Sequence, residues 1–119
     1  MNQVLLVALG GALGSVARYG VGLAAARFLG TGFPWGTLAV NVLGGLVIGV
    51  LAARTTPESE NIRLLVGVGV CGGFTTFSTF SLESIRMLEH QAPLAIGYMV
   101  ASLVLSLGAC ALGLAYGRP

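Results

Sequence analysis

Hydrophobic and polar positions divide the chain into four long apolar runs with three short connections between them. The runs cover residues 4–28, 35–53, 62–88 and 94–116, and the connections cover residues 29–34, 54–61 and 89–93. Each run is long enough to cross ~30 Å of hydrocarbon as a helix. The connections are too short to hold a soluble domain. The pattern therefore predicts one transmembrane domain over residues 1–119, in an all-α membrane protein with four transmembrane helices.

The composition supports a membrane location and excludes several classes of function. Of the 119 residues, 55% are hydrophobic and only 8% are charged, whereas about a quarter of the residues of a typical soluble domain are charged. A formal net charge of +2 on so apolar a chain offers no basic patch for nucleic acid. We therefore expect a multi-pass protein of the inner (plasma) membrane, surrounded by lipid and without a nucleic-acid partner.

Arginines near the ends of the runs are almost balanced between the two sides of the membrane. Arg54, Arg63 and Arg118 fall on the side of the amino terminus, and Arg27 and Arg86 fall on the other side. Because an excess of basic residues normally sets the orientation, this small difference predicts that the same chain inserts both ways up. A single orientation fixed by the amino terminus is the alternative.

Each run contains a pair of glycines four residues apart, a spacing that lets helix backbones come into contact. The pairs are Gly10 with Gly14, Gly45 with Gly49, Gly69 with Gly73, and Gly113 with Gly117. Such pairs are common in membrane helices, but four of them together favour a compact bundle that also forms a dimer.

Polar residues are concentrated in the third run, where three threonines and two serines fall within residues 75–81. Gly72 and Gly73 stand near its middle, and they predict a break at mid-membrane between two half-helices. Backbone N–H and C=O groups that lack helical partners are tolerated at that depth only where protein buries them or where they line a polar cavity. The carbonyls of a break can hold a cation, and the second half-helix can offer amides to an anion. An unbroken helix, whose hydroxyls bond to preceding carbonyls, is the alternative.

Two phenylalanines and one carboxylate follow the predicted break. Phe77 and Phe80 are three residues apart and therefore share a helix face. Ring edges are electropositive, so two rings turned edge-on toward a path can attract an anion, although packing is the other use of such a pair. Glu83 lies further along, either at the mouth of a pore or extended toward the interface.

Further polar candidates lie in the other three runs. Asn41 can donate to an anion or join helices. Tyr98, Ser102 and Ser106 recur every four residues, which makes either a hydroxyl track for ions or a packing seam. Arg18 lies inside the first run and should face protein or water, where its charge raises the local anion concentration, unless it extends to the headgroups.

The order and spacing of three motifs resemble the CrcB/Fluc family of fluoride channels over nearly the whole chain. The motifs are Gly10-Gly11-x-x-Gly14-x-x-x-Arg18-Tyr19, Gly36-Thr37-Leu38-x-Val40-Asn41-x-x-Gly44 and Gly72-Gly73-Phe74-Thr75-Thr76-Phe77-Ser78-Thr79-Phe80-Ser81-x-Glu83. The third motif is the most specific, and no motif position departs from the family pattern.

The resemblance implies passive fluoride export without enzymatic chemistry. It also implies an antiparallel (dual-topology) homodimer that has two fluoride pores and a structural sodium ion at its centre. The sodium ligands that it implies are the backbone carbonyls of Gly72 and Thr75. The pore positions that it implies are Phe77, Phe80, Asn41, Ser78, Thr79, Tyr98, Ser102 and Ser106, with Glu83 near the end of the track.

Two other classes of membrane protein share parts of the pattern. Small multidrug transporters also combine four short spans with dual insertion. Their proton-coupled exchange, however, needs a carboxylate in the first span, where this chain has Arg18 and no acid. A holin-like or purely structural membrane protein needs no polar broken helix and shows no ion flux.

Overall fold

The computed structural model describes residues 2–119, which are helical apart from short connections. Its helices are α1 at Gln3–Leu29, α2 at Trp35–Arg54, α3 at residues 60–74, α4 at Ser78–His90 and α5 at Ala92–Gly117. Four segments are long and apolar enough to cross a membrane: α1, α2, the pair α3 and α4, and α5. The prediction of an all-α protein with four helices long and apolar enough to cross a membrane is therefore confirmed.

The third span changes neighbours along its length. Helix α3 packs mainly on α1, whereas α4 packs on α5. Helix α2 lies between these two groups, because it contacts α1 on one side and makes the most extensive contact of the fold with α5 on the other. The third span therefore passes over α2 at the point where α3 gives way to α4.

The third span departs from a regular α-helix in two places. Residues Arg63–Cys71 are π-helical, and residues 75–77 between α3 and α4 belong to no helix. Thr75 is extended, with φ −87° and ψ 159°. The sequence places the interruption at Gly72 and Gly73 instead, and this position is wrong because both are helical.

Close approach to α1 explains why a glycine stands at position 73. A Cβ there would lie 2.5 Å from the carbonyl oxygen of Gly11 and 3.1 Å from Ser15 Oγ. A side chain at Gly73 would therefore separate α3 from α1. This glycine serves helix contact, and the chain leaves the helix only two residues later.

The glycine pairs of the runs are used within one chain. A Cβ at Gly10 would overlap the carbonyl of Leu65 on α3, and one at Gly49 would overlap the carbonyl of Cys110 on α5. The backbones of α1 and α3, and those of α2 and α5, are thus in contact, as the spacing predicts. These surfaces are occupied by helices of the same protomer, so the pairs build the compact bundle, and the dimer stays a prediction.

The interior of the protomer is small. Only 17% to 28% of the residues in the apolar window of each span are buried. The largest fully buried side chains are Val40 on α2 and Tyr98 on α5, so the tightest packing lies where these two helices meet. Most of the remaining apolar surface is left for lipid or for another chain to cover.

Candidate functional site

Asn41 bonds to the interruption of the third span from the middle of α2. Its Nδ2 donates to the carbonyl of Thr76 at 3.0 Å, and its Oδ1 accepts from the amide of Thr76 at 2.8 Å. Both backbone groups of Thr76 lie outside any helix and need partners when they are partly buried. The side-chain amide supplies both.

Arg18 reaches the same region from α1. Its Nε donates to the carbonyl of Gly73 at 3.1 Å, close to the carboxyl end of α3. Cations near the last turn of a helix interact favourably with its dipole. The half-buried side chain of Arg18 therefore points into the protein, as one of the two readings of the sequence expects, and not toward the headgroups.

The hydroxyls at the interruption hold the backbone in place. The hydroxyl of Thr75 donates to the carbonyl of Cys71 at 2.8 Å, alongside the Thr75 amide at 3.0 Å. The hydroxyl of Thr76 accepts from the amide of Thr79 at 3.1 Å, in the manner of a side chain that caps a helix. One threonine thus ends α3, and the next one begins α4.

The carbonyls around the interruption fall into two groups. Those of Gly73 and Thr76 accept from Arg18 and Asn41. Those of Gly72 and Thr75 accept no hydrogen bond from any group within residues 2–119. The two oxygens without partners are therefore available as ligands.

A cavity of about 220 Å³ adjoins the interruption, and its lining includes Asn41, Phe77, Phe80, Ser102 and Ser106. Ser102 is only 5% exposed, and its hydroxyl has no hydrogen-bond partner in the described part of the chain. A buried hydroxyl without a partner is unfavourable unless a bound group satisfies it. No carboxylate lines this cavity within residues 2–119, so its polar lining suits an anion.

A second cavity of about 280 Å³ contains the charged candidates. Its lining includes Arg18, Thr37, Thr79 and Glu83, and Thr76 borders both this cavity and the first. The second cavity therefore combines one cation with one carboxylate, and the interruption lies between the two cavities.

Tyr98 connects the two groups of candidates. Its hydroxyl donates to Glu83 Oε1 at 3.0 Å, and its ring centroid lies 5.3 Å from that of Phe80. The ring of Phe80 lies in turn 5.7 Å from that of Phe77. Because Tyr98 is completely buried, it belongs to the interior of the protomer and not to an interfacial belt.

The structure adds Phe33 to the residues predicted from the sequence. Phe33 stands in the connection between α1 and α2, and its ring meets that of Tyr98 edge-on at 5.4 Å and 86°. No spacing rule identifies a connection residue of this kind, since its position depends on how the connection folds back over α5. Two predicted residues, Gly72 and Ser78, are exposed on the protomer and border neither cavity.

Four apolar spans, an interrupted third span and two cavities beside it whose linings include polar side chains define a small multi-pass membrane protein with features typical of ion conduction. The chain belongs to the CrcB family, because residues 5–114 match the family described as CrcB-like protein, Camphor Resistance (CrcB).

Curated relatives match almost the full length of the chain. A protein of Caulobacter vibrioides is 50% identical over an alignment of 123 positions, which covers 99% of this chain and 97% of the relative. Proteins of Rhizobium johnstonii and Rhizobium etli are 53% and 54% identical over alignments of 122 positions, which cover 99% of this chain and 98% of each relative. All three are named fluoride-specific ion channel FluC. The present chain is thus a multi-pass protein of the plasma membrane and is not an enzyme.

Proposed function

We propose that the chain is a fluoride-selective channel that exports fluoride passively and so reduces its toxicity in the cell. The names of relatives about 50% identical over nearly the whole chain support the choice of ion. The observation that carries the proposal is the first cavity, whose lining brings Asn41 and the serines 102 and 106 together with two phenylalanine rings and, within residues 2–119, includes no carboxylate.

The lining of this cavity suits an anion that holds its water tightly. Such an ion enters a pore only where other groups replace its hydration shell. The hydroxyls of Ser102 and Ser106 and one N–H of Asn41 are donors, and the ring edges of Phe77 and Phe80 are electropositive. An outward leak is sufficient for protection, because neutral hydrogen fluoride crosses lipid from acid surroundings and ionises inside the cell.

The functional unit that we propose is an antiparallel, dual-topology dimer with two pores. Phe77 is 75% exposed on the protomer although it lines the first cavity, and Gly72 and Ser78 are exposed beside it. A pore wall that is open on one side needs a second surface to complete it. The small fraction of buried residues in each span supports the same proposal, since ample apolar surface remains to be covered.

The interruption at residues 75–77 is proposed to lie at mid-membrane. Helices α3 and α4 contain 15 and 13 residues, so similar numbers of helical residues stand on either side of the interruption. Two half-helices of similar length on either side would put the interruption near the centre of the bilayer. Hydrogen bonds from Asn41 and Arg18 to the backbone at that point provide the surroundings that non-helical backbone requires there.

A structural sodium ion is proposed at the centre of the dimer, held by the carbonyls of Gly72 and Thr75. These residues fit the ion, because their oxygens accept no hydrogen bond within residues 2–119 while the neighbouring carbonyls are occupied. Oxygen ligands suit a hard cation. A bound cation without a carboxylate ligand would add positive charge near the anion path.

Efflux from reconstituted vesicles tests the proposed function. Vesicles loaded with equal concentrations of fluoride and chloride should release fluoride far faster when a potassium ionophore balances the charge. Vesicles without protein are the control. Equal release of both ions, or no release above the control, would contradict the proposal. A proton-coupled multidrug transporter is not favoured, because α1 contains no carboxylate.

A further inference from the structure

The crossing of the third span over α2 leaves peptide groups without helical partners. Thr76 lies at this crossing, outside α3 and α4. We propose that Asn41 is a positioning residue that fixes the Thr76 peptide groups, so that the interruption keeps one conformation. The part of this inference that concerns conduction rests on the proposed function, whereas the contact itself does not.

The two bonds between Asn41 and Thr76 reproduce the pairing of adjacent strands. The amide of Thr76 donates to Asn41 Oδ1 at 2.8 Å, and the carbonyl of Thr76 accepts from Asn41 Nδ2 at 3.0 Å. Only Asn, at this side-chain length, carries one acceptor and two donors on a single planar group. Asp lacks the donor when it is ionised, and Leu of similar size lacks both.

The same contact limits how Asn41 meets an ion. Its Oδ1 and one Nδ2 hydrogen are taken by Thr76, which leaves the second Nδ2 hydrogen for the first cavity that Asn41 lines. The direction of that N–H is therefore set by the backbone of the interruption. Asn41 presents one donor in a fixed orientation instead of a freely rotating amide.

The contact also decides which carbonyls remain free. Asn41 occupies the carbonyl of Thr76, and Arg18 occupies that of Gly73. The carbonyl of Thr75, between them, is left without a partner within residues 2–119. Loss of the Asn41 contact would free the Thr76 carbonyl and let the peptide groups of residues 75–77 rotate. A cation site that uses Thr75 would then lose its defined geometry.

Amide hydrogen exchange tests this role without any measurement of flux. In the wild-type protein, the Thr76 amide should exchange about tenfold more slowly than the Phe77 amide, the factor that matches a typical net hydrogen bond. The Phe77 amide is a suitable reference because it is next in the chain and donates to no group within residues 2–119. NMR on the reconstituted protein resolves both amides.

Three variants separate the positioning role from a direct role toward the ion. Asn41→Leu keeps the volume and removes both polar groups, so exchange at Thr76 should rise about tenfold to the Phe77 rate. Asn41→Asp keeps the acceptor and should retain most of the protection. Ser106→Ala removes another polar group from the same cavity and should leave exchange at Thr76 unchanged.

Each outcome bears on the proposal. Equal exchange at Thr76 and Phe77 in the wild type would overturn it, even if the Leu variant does not fold. Unchanged protection in Asn41→Leu would also overturn it, even if fluoride efflux is lost. A rise at Thr76 alone supports it, with amides in the middle of α5 as the reference for global unfolding. If the wild type releases no fluoride, the proposed function fails while the exchange result still stands.

Discussion

The hydroxyl of the completely buried Tyr98 on α5 donates to Glu83 Oε1 on α4 at 3.0 Å. This hydrogen bond joins α5 to the second half of the third span. The ring of the same tyrosine packs on Phe80 and Phe33. Tyr98 therefore has two separable functions in the fold, one through its hydroxyl and the other through its ring.

Removal of this hydroxyl should destabilise the protein although the ring contacts remain. Tyr98→Phe leaves the half-buried Glu83 without its donor, and the loss of one hydrogen bond costs about 0.5–1.5 kcal/mol. Glu83→Gln keeps an acceptor and should cost less. Unfolding of both variants in detergent checks this order. Wild-type stability in Tyr98→Phe would show that the hydrogen bond contributes nothing.

The phenylalanines of the first cavity should act through their ring edges. Phe77→Ile or Phe80→Ile keeps an apolar side chain but removes the quadrupole, so fluoride efflux should fall about tenfold, on the scale of ~1 kcal/mol per ring edge. Size-exclusion chromatography should give the same elution volume as for the wild type. Phe74 at the end of α3 is the control, and Phe74→Ile should affect stability more than efflux. Wild-type efflux in both pore variants would exclude this role.

Two adjacent glycines of α1 should respond in opposite ways to the same substitution. A Cβ at Gly10 would meet the backbone of α3, whereas one at Gly11 meets nothing within 4 Å. Gly10→Ala should therefore destabilise the protein by about 1–3 kcal/mol, as overpacking does. Gly11→Ala should be neutral or stabilising by about 0.5–1 kcal/mol, because alanine suits a helix better. Thermal unfolding measures both, and a harmless Gly10→Ala would contradict the α1 and α3 contact.

Sodium should support both the dimer and the flux. Because the proposed ligands are backbone oxygens, Thr75→Ser should be mild, whereas a bulky side chain at Gly72 should prevent correct assembly. Replacement of sodium by a large organic cation during purification and on both sides of the vesicles should lower stability or efflux. Full activity after exhaustive sodium removal, together with no density on the two-fold axis, would refute the site.

Dual insertion should be visible with reporters fused after Pro119. Reporters active only in the cytoplasm and reporters active only outside it should both give a signal, since the arginines are nearly balanced. Added arginines at one end should bias insertion and lower activity, and co-expressed wild-type chain should restore it. A signal from one compartment alone would establish a single orientation.

The sequence predicts the spans well because the membrane imposes a simple rule on them. Apolar runs must be about 20 residues long to cross the hydrocarbon as helices, and polar connections mark their ends. Helix α2 accordingly begins at Trp35 in both the prediction and the structure. The candidates Asn41, Phe80 and Ser102 lie together at the first cavity.

Details that depend on tertiary contact could not be predicted in the same way. Gly73 signals a flexible backbone in isolation, but here it allows α1 to approach, and the interruption falls at Thr75. The partner of Asn41 lies 35 residues away in the chain, and no local pattern specifies such a pair. The glycine pairs contain no information on whether the helix that they contact belongs to the same chain.

The unequal lengths of the helices have a consequence for the lipid around them. Helix α2 has 20 residues and α1 has 27, which correspond to about 30 Å and 40 Å. A bilayer core of ~30 Å matches α2 when it stands upright, whereas α1 must tilt or project beyond the hydrocarbon. Since α1 and α2 pack together, bilayer thickness acts on the angle between them. We therefore expect the length of the acyl chains to influence how steeply α1 is inclined to α2.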